Sequence, residues 1–450
     1  MKRNCHRPTG LSIACAGLAA AVLTACGGGG GSAGTPDSPP GGRPEPLTCT
    51  VLPAEVTWFS GTASNEWNDV LIDARNRIWL AGYADSSGDS DIGPTGNSRA
   101  VLRLLAPDGH LLWESGSEFD TPGTDVAEAL ALSPQGMVVM AGRTTGAFTS
   151  APNAGQFDTF VAWSDAAGPV SSWRFFQTGS ATPQHVRRVQ IAPDGDVVLA
   201  GYDDIYIPSN YVAAWSDSFA TRLRRQGAGT ANDRLEPLWH HQFQTAEPDF
   251  IEGLALASSG AETYVSGQIQ QGASRGMFVR KLDAQGQALW TARYSTLSVD
   301  SIAVLKAMPD GTLLMAGSVF GPFHGGRDHG QQDVFVARIA ADDGRLLQSW
   351  QFGSSESEWL TDMKVDSAGN IYLLGETQGV MAAGASAMGS TDLFMLKISP
   401  EGNLLGSRQW GTAGDDTAKR LAVDSCGHVV AVGSSMQNQR RSGLIWAWQP

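Results

Sequence analysis

Seven segments of this chain repeat one pattern: an apolar run, a short turn, a second apolar run, then a small residue and glycine. They read VLIDARNRIWLAG to Gly82, LALSPQGMVVMAG to Gly142, VQIAPDGDVVLAG to Gly201 and LALASSGAETYVSG to Gly267. The remaining three are VLKAMPDGTLLMAG to Gly317, MKVDSAGNIYLLG to Gly375 and LAVDSCGHVVAVG to Gly433. Successive closing glycines lie 60, 59, 66, 50, 58 and 58 residues apart. Three more columns keep the same beat. A tryptophan begins each unit (Trp58, Trp113, Trp173, Trp239, Trp290, Trp350, Trp410). The internal turn carries Asn76, Gly136, Gly195, Gly260, Gly311, Gly369 or Gly427, residue types that tolerate positive φ in a hairpin. A last strand closes each unit, as in VLRLL, TFVAW, YVAAW, MFVRKL, VFVARI, LFMLKI and LIWAW.

A unit of four short strands cannot bury both faces alone, so neighbouring units must stack and the array must close. The expected fold is all-β: a seven-bladed β-propeller of four-stranded antiparallel blades over residues 49–450. A β-helix is the rival, but its coils are shorter than these units. The abundance of glycine, 54 residues, suits many tight turns, and 17% charged residues suits a sheet-rich interior.

The closest copies, VDSAGNIYLLGET at 365–377 and DVFVARI at 333–339, allow a family comparison. With the leading tryptophan they resemble the seven-bladed β-propeller repeat (SBBP) family of exported bacterial proteins, over roughly residues 55–448. The resemblance implies the fold and brings no common activity with it.

Residues 1–25 read as a signal peptide. Lys2, Arg3 and Arg7 precede an apolar stretch from Leu11 to Leu23, too short for a permanent membrane span. Leu23-Thr24-Ala25-Cys26 is similar to the lipobox of bacterial lipoproteins, which implies cleavage before Cys26 and lipid on its sulfur. The Gly/Pro/Ser-rich stretch 26–48 then reads as a tether, with an r.m.s. reach of roughly 25 Å. Gly27, in place of an inner-membrane retention Asp, implies the outer membrane. Cleavage removes three cations and no anion, so the formal charge of −14 becomes −17. So acidic a surface disfavours nucleic acid and favours cations or basic partners.

Two cysteines remain for an oxidising compartment, Cys49 and Cys426. Cys426 sits in the turn between the second and third strands of the last unit, and Cys49 just before the first strand of the first. A meander puts both positions on one face and a ring makes the two units neighbours, so a disulfide is expected. In the chain-entropy model it contributes roughly 5 kcal/mol.

Site candidates are sparse. Asn65, Asp125, Gln184, Asp249, Asp300, Glu358 and Asp416 form a polar column eleven residues before each turn residue. Repetition around the whole ring favours a loop-ordering acceptor of backbone N–H bonds over a ring of cation ligands. Asp85, Asp89 and Asp91 could offer oxygens to calcium, but they miss EF-hand spacing and read as a solvated loop. His324, Asp328 and His329 could offer ligands to zinc on a Gly-rich loop. His240 and His241 should face opposite sides of a strand. No HExxH, P-loop or CxxC motif occurs, and Gly30-Gly31-Ser32-Ala33-Gly34 satisfies GxSxG without a strand or helix around it. No cofactor signature is present.

The expected function is therefore non-catalytic binding or scaffolding at the cell envelope. An envelope enzyme with a loop-built active site and a calcium-dependent adhesin are the alternatives. The expected partner face carries the first-to-second and third-to-fourth strand loops, the latter most variable at 83–98, 143–157, 318–332 and 376–391. It is rich in carboxylates, among them Glu66, Asp120, Glu356 and Asp415. A rival basic patch on the opposite face lies at 216–236, with Arg222, Arg224, Arg225 and Arg234.

Overall fold

The computed structural model describes residues 49, 55–57, 64–85, 98–150, 153–154, 156–165, 173–180, 182–205, 215–243, 249–271, 274–294, 301–437 and 440–450. The signal peptide, Cys26, the tether, Trp58, Asp89, Asp91 and Asp300 lie outside them.

The chain forms a seven-bladed β-propeller. Five blades are separate four-stranded antiparallel meanders, within 125–178, 184–242, 249–294, 301–352 and 358–410. The blade at 64–114 and the one at 416–448 are joined into an eight-stranded sheet by one parallel pair, Asn65 with Ser442. The last blade contributes three strands from the C-terminal end. Its fourth is Glu55–Thr57, which pairs antiparallel with Arg440–Trp448. The two ends of the chain thus share a blade and close the ring.

This closure corrects the phase of the repeat. The strand associated with each leading tryptophan is the outermost strand of the blade before it, and the apolar run that follows is the innermost strand of the next. A sequence unit therefore straddles two blades. The innermost strands are Ser64–Ile72, Asp125–Leu132, Gln184–Ile191, Asp249–Leu256, Ser301–Ala307, Glu358–Val365 and Asp416–Val423.

Local chemistry explains the columns. In the inner hairpins, Asp366 accepts the N–H groups of Ala368 (2.9 Å) and Asn370 (2.8 Å), and Gly369 takes φ 85°. Asp73 and Asp424 repeat this with Arg75 and Arg77, and with Cys426 and His428. The tryptophans clasp neighbouring blades. Trp239, Trp290 and Trp350 pack onto Gly286, Gly344 and Gly402, each in the third-to-outer hairpin of the next blade. A β-carbon on Gly402 would lie 1.9 Å from the Trp350 ring nitrogen, so this contact excludes any larger residue. Between blades, faces of apolar side chains meet. Trp79, Leu102, Phe119, Met140 and Phe160 fill one such space, each contributing about 2–3 kcal/mol by full burial.

Cys49 and Cys426 form the expected disulfide, with Cα atoms 5.8 Å apart. It ties the segment before the first strand to the turn face of the last blade.

Candidate functional site

The strand order converges on the axis of the ring, and there the seven inner strands share an irregularity. Each pairs with the strand behind it until one residue is skipped, and that extra residue bulges out of the ladder. The seven bulged residues are Asn68, Glu128, Arg187, Glu252, Ala303, Thr361 and Lys419. All lie eight residues before the turn residue of their unit. The residue just before each bulge pairs with the closing glycine, and the glycine exists because of it. A β-carbon on Gly82, Gly142, Gly201, Gly267, Gly317, Gly375 or Gly433 would meet an inner-strand carbonyl oxygen at 1.7–2.4 Å.

Six of the bulged residues line an axial cavity of about 520 Å3, together with side chains from the loop-facing ends of the second strands such as Tyr83, Arg143, Tyr202 and Gln268. Its charges are mostly matched. Lys419 and Glu66 lie 3.1 Å apart, Arg143 and Glu128 3.1 Å, and Arg187 and Glu252 2.8 Å. Glu66 also accepts from Tyr83 (3.1 Å) and Ser434 (3.2 Å). The Glu252 carboxylate holds the Arg187 guanidinium above its ordinary pKa.

Two arginines cross the axis. Arg420 of the last blade donates to the carbonyl of Arg187 (3.2 Å), three blades away by the shorter way round, and to the carbonyl of Lys419 (2.8 Å). Arg188 reaches Asp362 of the sixth blade at 3.9 Å, and burial pulls its pKa down. Asp362 also accepts from Lys364 (2.7 Å) and from the Leu421 N–H (3.1 Å). Asp69 occupies the equivalent place in the first blade, accepting the Leu130 N–H at 2.7 Å. Burial pushes its carboxyl up to about 6, against the opposing pull of Lys364 and of the Leu130 N–H. The cavity is a cup with a charged, cross-braced base.

Five members of the polar column accept backbone N–H bonds, the structural role expected of them. Asp125, Glu358 and Asp416 accept backbone N–H bonds from Thr121 (2.6 Å), Ser354 (2.7 Å) and Thr412 (2.6 Å). Asp249 accepts from Ser218 at 2.7 Å, and Gln184 from Thr159 at 3.4 Å. Burial raises the pKa of Asp125, Glu358 and Asp416 despite these bonds.

A second loop device carries its own sequence signal, Gln-x-Gly in FQTG, WQFG and RQWG. Gln351 accepts the Phe323 N–H (2.9 Å) and donates to the Gly321 carbonyl (3.0 Å) and to Asp333 (2.7 Å). Gln177 and Gln409 make the same three bonds with Phe148, Gly146 and Asp158, and with Met381, Gly379 and Asp392. The following glycine leaves room for the aspartate, whose oxygen would lie 1.8–2.0 Å from a β-carbon on Gly179, Gly353 or Gly411.

Of the metal candidates, Asp89 and Asp91 lie outside the described residues. Asp85 is buried at a strand end. His329 faces Asp333 at 3.3 Å, the His324 ring lies edge-on to Phe323, and Asp328 accepts the Gly330 N–H. Among the described residues no group of three or more His, Cys, Asp and Glu side chains could hold a metal ion. His240 bonds Thr221 (2.8 Å), whereas His241 packs on Phe243, so the two do face opposite ways.

Of the partner-face carboxylates, Asp120, Glu356 and Asp415 are exposed, as is Glu118. Glu66 is not part of that outer surface: it is 6% exposed and belongs to the cup. The basic patch at 216–236 is largely neutralised in a long hairpin. Arg222 meets Asp194 and Asp196 at 2.6 and 2.9 Å, Arg225 meets Asp165 and Asp233 at 2.6 Å, and Arg234 meets Glu236 at 2.6 Å. Asp165, Asp194 and Asp196 sit in turns outside this segment, whereas Asp233 and Glu236 belong to the hairpin itself.

No protein-family model matches the chain, and no curated protein does. Several solved structures are similar in part. Chaetomium thermophilum Sqt1 bound to the N-terminus of the ribosomal protein L10 is 10% identical, with a TM-score of 0.49, over 88% of this chain and 100% of that one. YCF48 bound to D1 peptide is 11% identical, with a TM-score of 0.46, over 90% and 98%. A puromycin hydrolase mutant complexed with PGG is 14% identical, with a TM-score of 0.46, over 86% and 54%. Likeness at this level says nothing of what this chain binds.

Proposed function

We propose that the chain is a non-catalytic binding or scaffolding lipoprotein of the bacterial cell envelope. Lipid on Cys26 holds it, at the outer membrane by the Gly27 reading, and the loop face of the propeller engages a protein carrying basic residues. The observation that carries this reading is the distribution of carboxylates on that face. Glu118, Asp120, Glu356 and Asp415 stay in solvent, while Asp125, Asp249, Glu358 and Asp416 are spent on ordering loops. Solvent-exposed carboxylates on a braced loop scaffold attract cationic partners and speed their encounter.

Crosslinking of the native lipoprotein in its host tests the reading. Reversing Asp120, Glu356 and Asp415 to lysine should abolish capture of the partner, and wild-type capture should weaken with salt. Capture that survives this triple change but fails when the exposed Arg224 and Arg234 are reversed would move the interface to the opposite face.

A further inference from the structure

We propose that the axial cup is a binding site for a small hydroxylated oxyanion of the sugar-acid or sugar-phosphate class, with the anionic group seated on Arg420. The site is separate from the loop-face interface and does not depend on it.

Charge matching around the cup identifies the seat. Lys419, Arg143 and Arg187 each face a carboxylate within 3.1 Å. Arg420 lines the same cavity and, among the described residues, meets no carboxylate: its partners are two main-chain carbonyls. A guanidinium has five N–H donors, so these contacts leave about three of them for a ligand. A planar fork of that kind matches carboxylate or phosphate oxygens, and an anion there would complete the charge balance that the other three cations already have.

The surroundings supply the rest of the ligand's chemistry. Next to the last blade, the sixth contributes uncharged Thr361 to the wall and the fifth, beyond it, Ser301, a sector that can hydrogen-bond hydroxyl groups without opposing an anion. Across from it, the His185 and Tyr202 rings stack at 5.0 Å between centroids and form part of the lining, a flat face suited to the C–H side of a sugar ring. The cavity of about 520 Å3 falls within the usual range of small-molecule sites, about 300–1,000 Å3.

Titration calorimetry of the full-length protein with glucuronate, glucose 6-phosphate and glucose tests the site. At least one of the two anions should bind, glucose at least about tenfold more weakly, and Arg420→Gln should weaken the anion by about tenfold or more. Preference between glucuronate and glucose 6-phosphate tells carboxylate from phosphate. Because Arg420 also braces two blades, Thr361→Glu serves as the second variant. It leaves the brace intact and places a like charge beside the seat, so it should abolish anion binding. Equal binding of glucose and the anions, anion binding unchanged in either variant, or no anion binding up to about 10 mM overturns the proposal.

Discussion

The carbonyl oxygen of Ser301 lies over the α-carbon of Gly317 so closely that a β-carbon there would stand 1.7 Å from it. The contact recurs in every blade because the bulge presses the inner strand onto its neighbour. Gly317→Ala should therefore cost about 3 kcal/mol or more, or prevent folding. Gly384, with φ 76° and open space around it, is the control. Gly384→Ala should cost only about 1–2 kcal/mol, and urea unfolding midpoints of the two variants make the comparison.

Reducing or removing the Cys49–Cys426 bond should lower the melting temperature. The chain-entropy contribution of roughly 5 kcal/mol is an upper bound, because the propeller holds the first strand by pairing as well. Denatured, unreduced protein should show neither cysteine open to alkylation. Modification of both would refute the closure.

Gln351→Ala should loosen one loop more than the whole molecule. It removes the donor to the Gly321 carbonyl and to Asp333, and the acceptor of the Phe323 N–H, at a cost of about 1–3 kcal/mol. Amide exchange should quicken over residues 321–332 while the inner strands keep their protection. Uniform quickening everywhere would show that the glutamine supports the fold and not the loop.

Stability should fall as pH rises from about 4 to 6. The Asp69 carboxyl goes from 3.8 to about 6 on burial, so the folded protein holds a proton that the unfolded chain has already lost. Its contribution is fully present below the unfolded value and is gone above the folded one. Asp125, Glu358 and Asp416, also raised, act with the same sign. Asp69→Asn should remove a slope worth on the order of 3 kcal/mol and match or exceed the wild type in melting temperature at pH 8. A variant as pH-sensitive as the wild type would assign the slope elsewhere.

Cys26→Ala should yield protein that no longer partitions with membranes, either uncleaved or released. Mass spectrometry of the wild type should find lipid on Cys26 and nothing N-terminal to it. Full membrane partitioning of the variant would place the anchor elsewhere.

Much of the architecture can be read from local sequence. Asn76 and the six glycines of the inner turns mark positive φ, the seven closing glycines mark close backbone contact, and either column counts seven blades. The pairing of Cys49 with Cys426 follows once the repeat is known to close. The phase of the blades does not follow, because the strand at Glu55–Thr57 has no sequence mark that assigns it to the last blade; its pairing with Arg440–Trp448 does.

The cup lay beyond any local reading. A bulge breaks the alternation of a strand by one residue, and nothing in DVAEALAL or DTAKRLAV says that Glu128 or Lys419 is the residue displaced toward the axis. What made them neighbours of Arg187 and Glu252 is the closing of the ring, which gathers bulged residues from six segments spread over some 350 positions. The sequence by itself determined the blade, because hairpins and glycine contacts depend on residues a few positions apart. The tertiary structure decided which charges are buried, which are paired and which line the axis, because those energies depend on distances that exist only after the first and last strands meet.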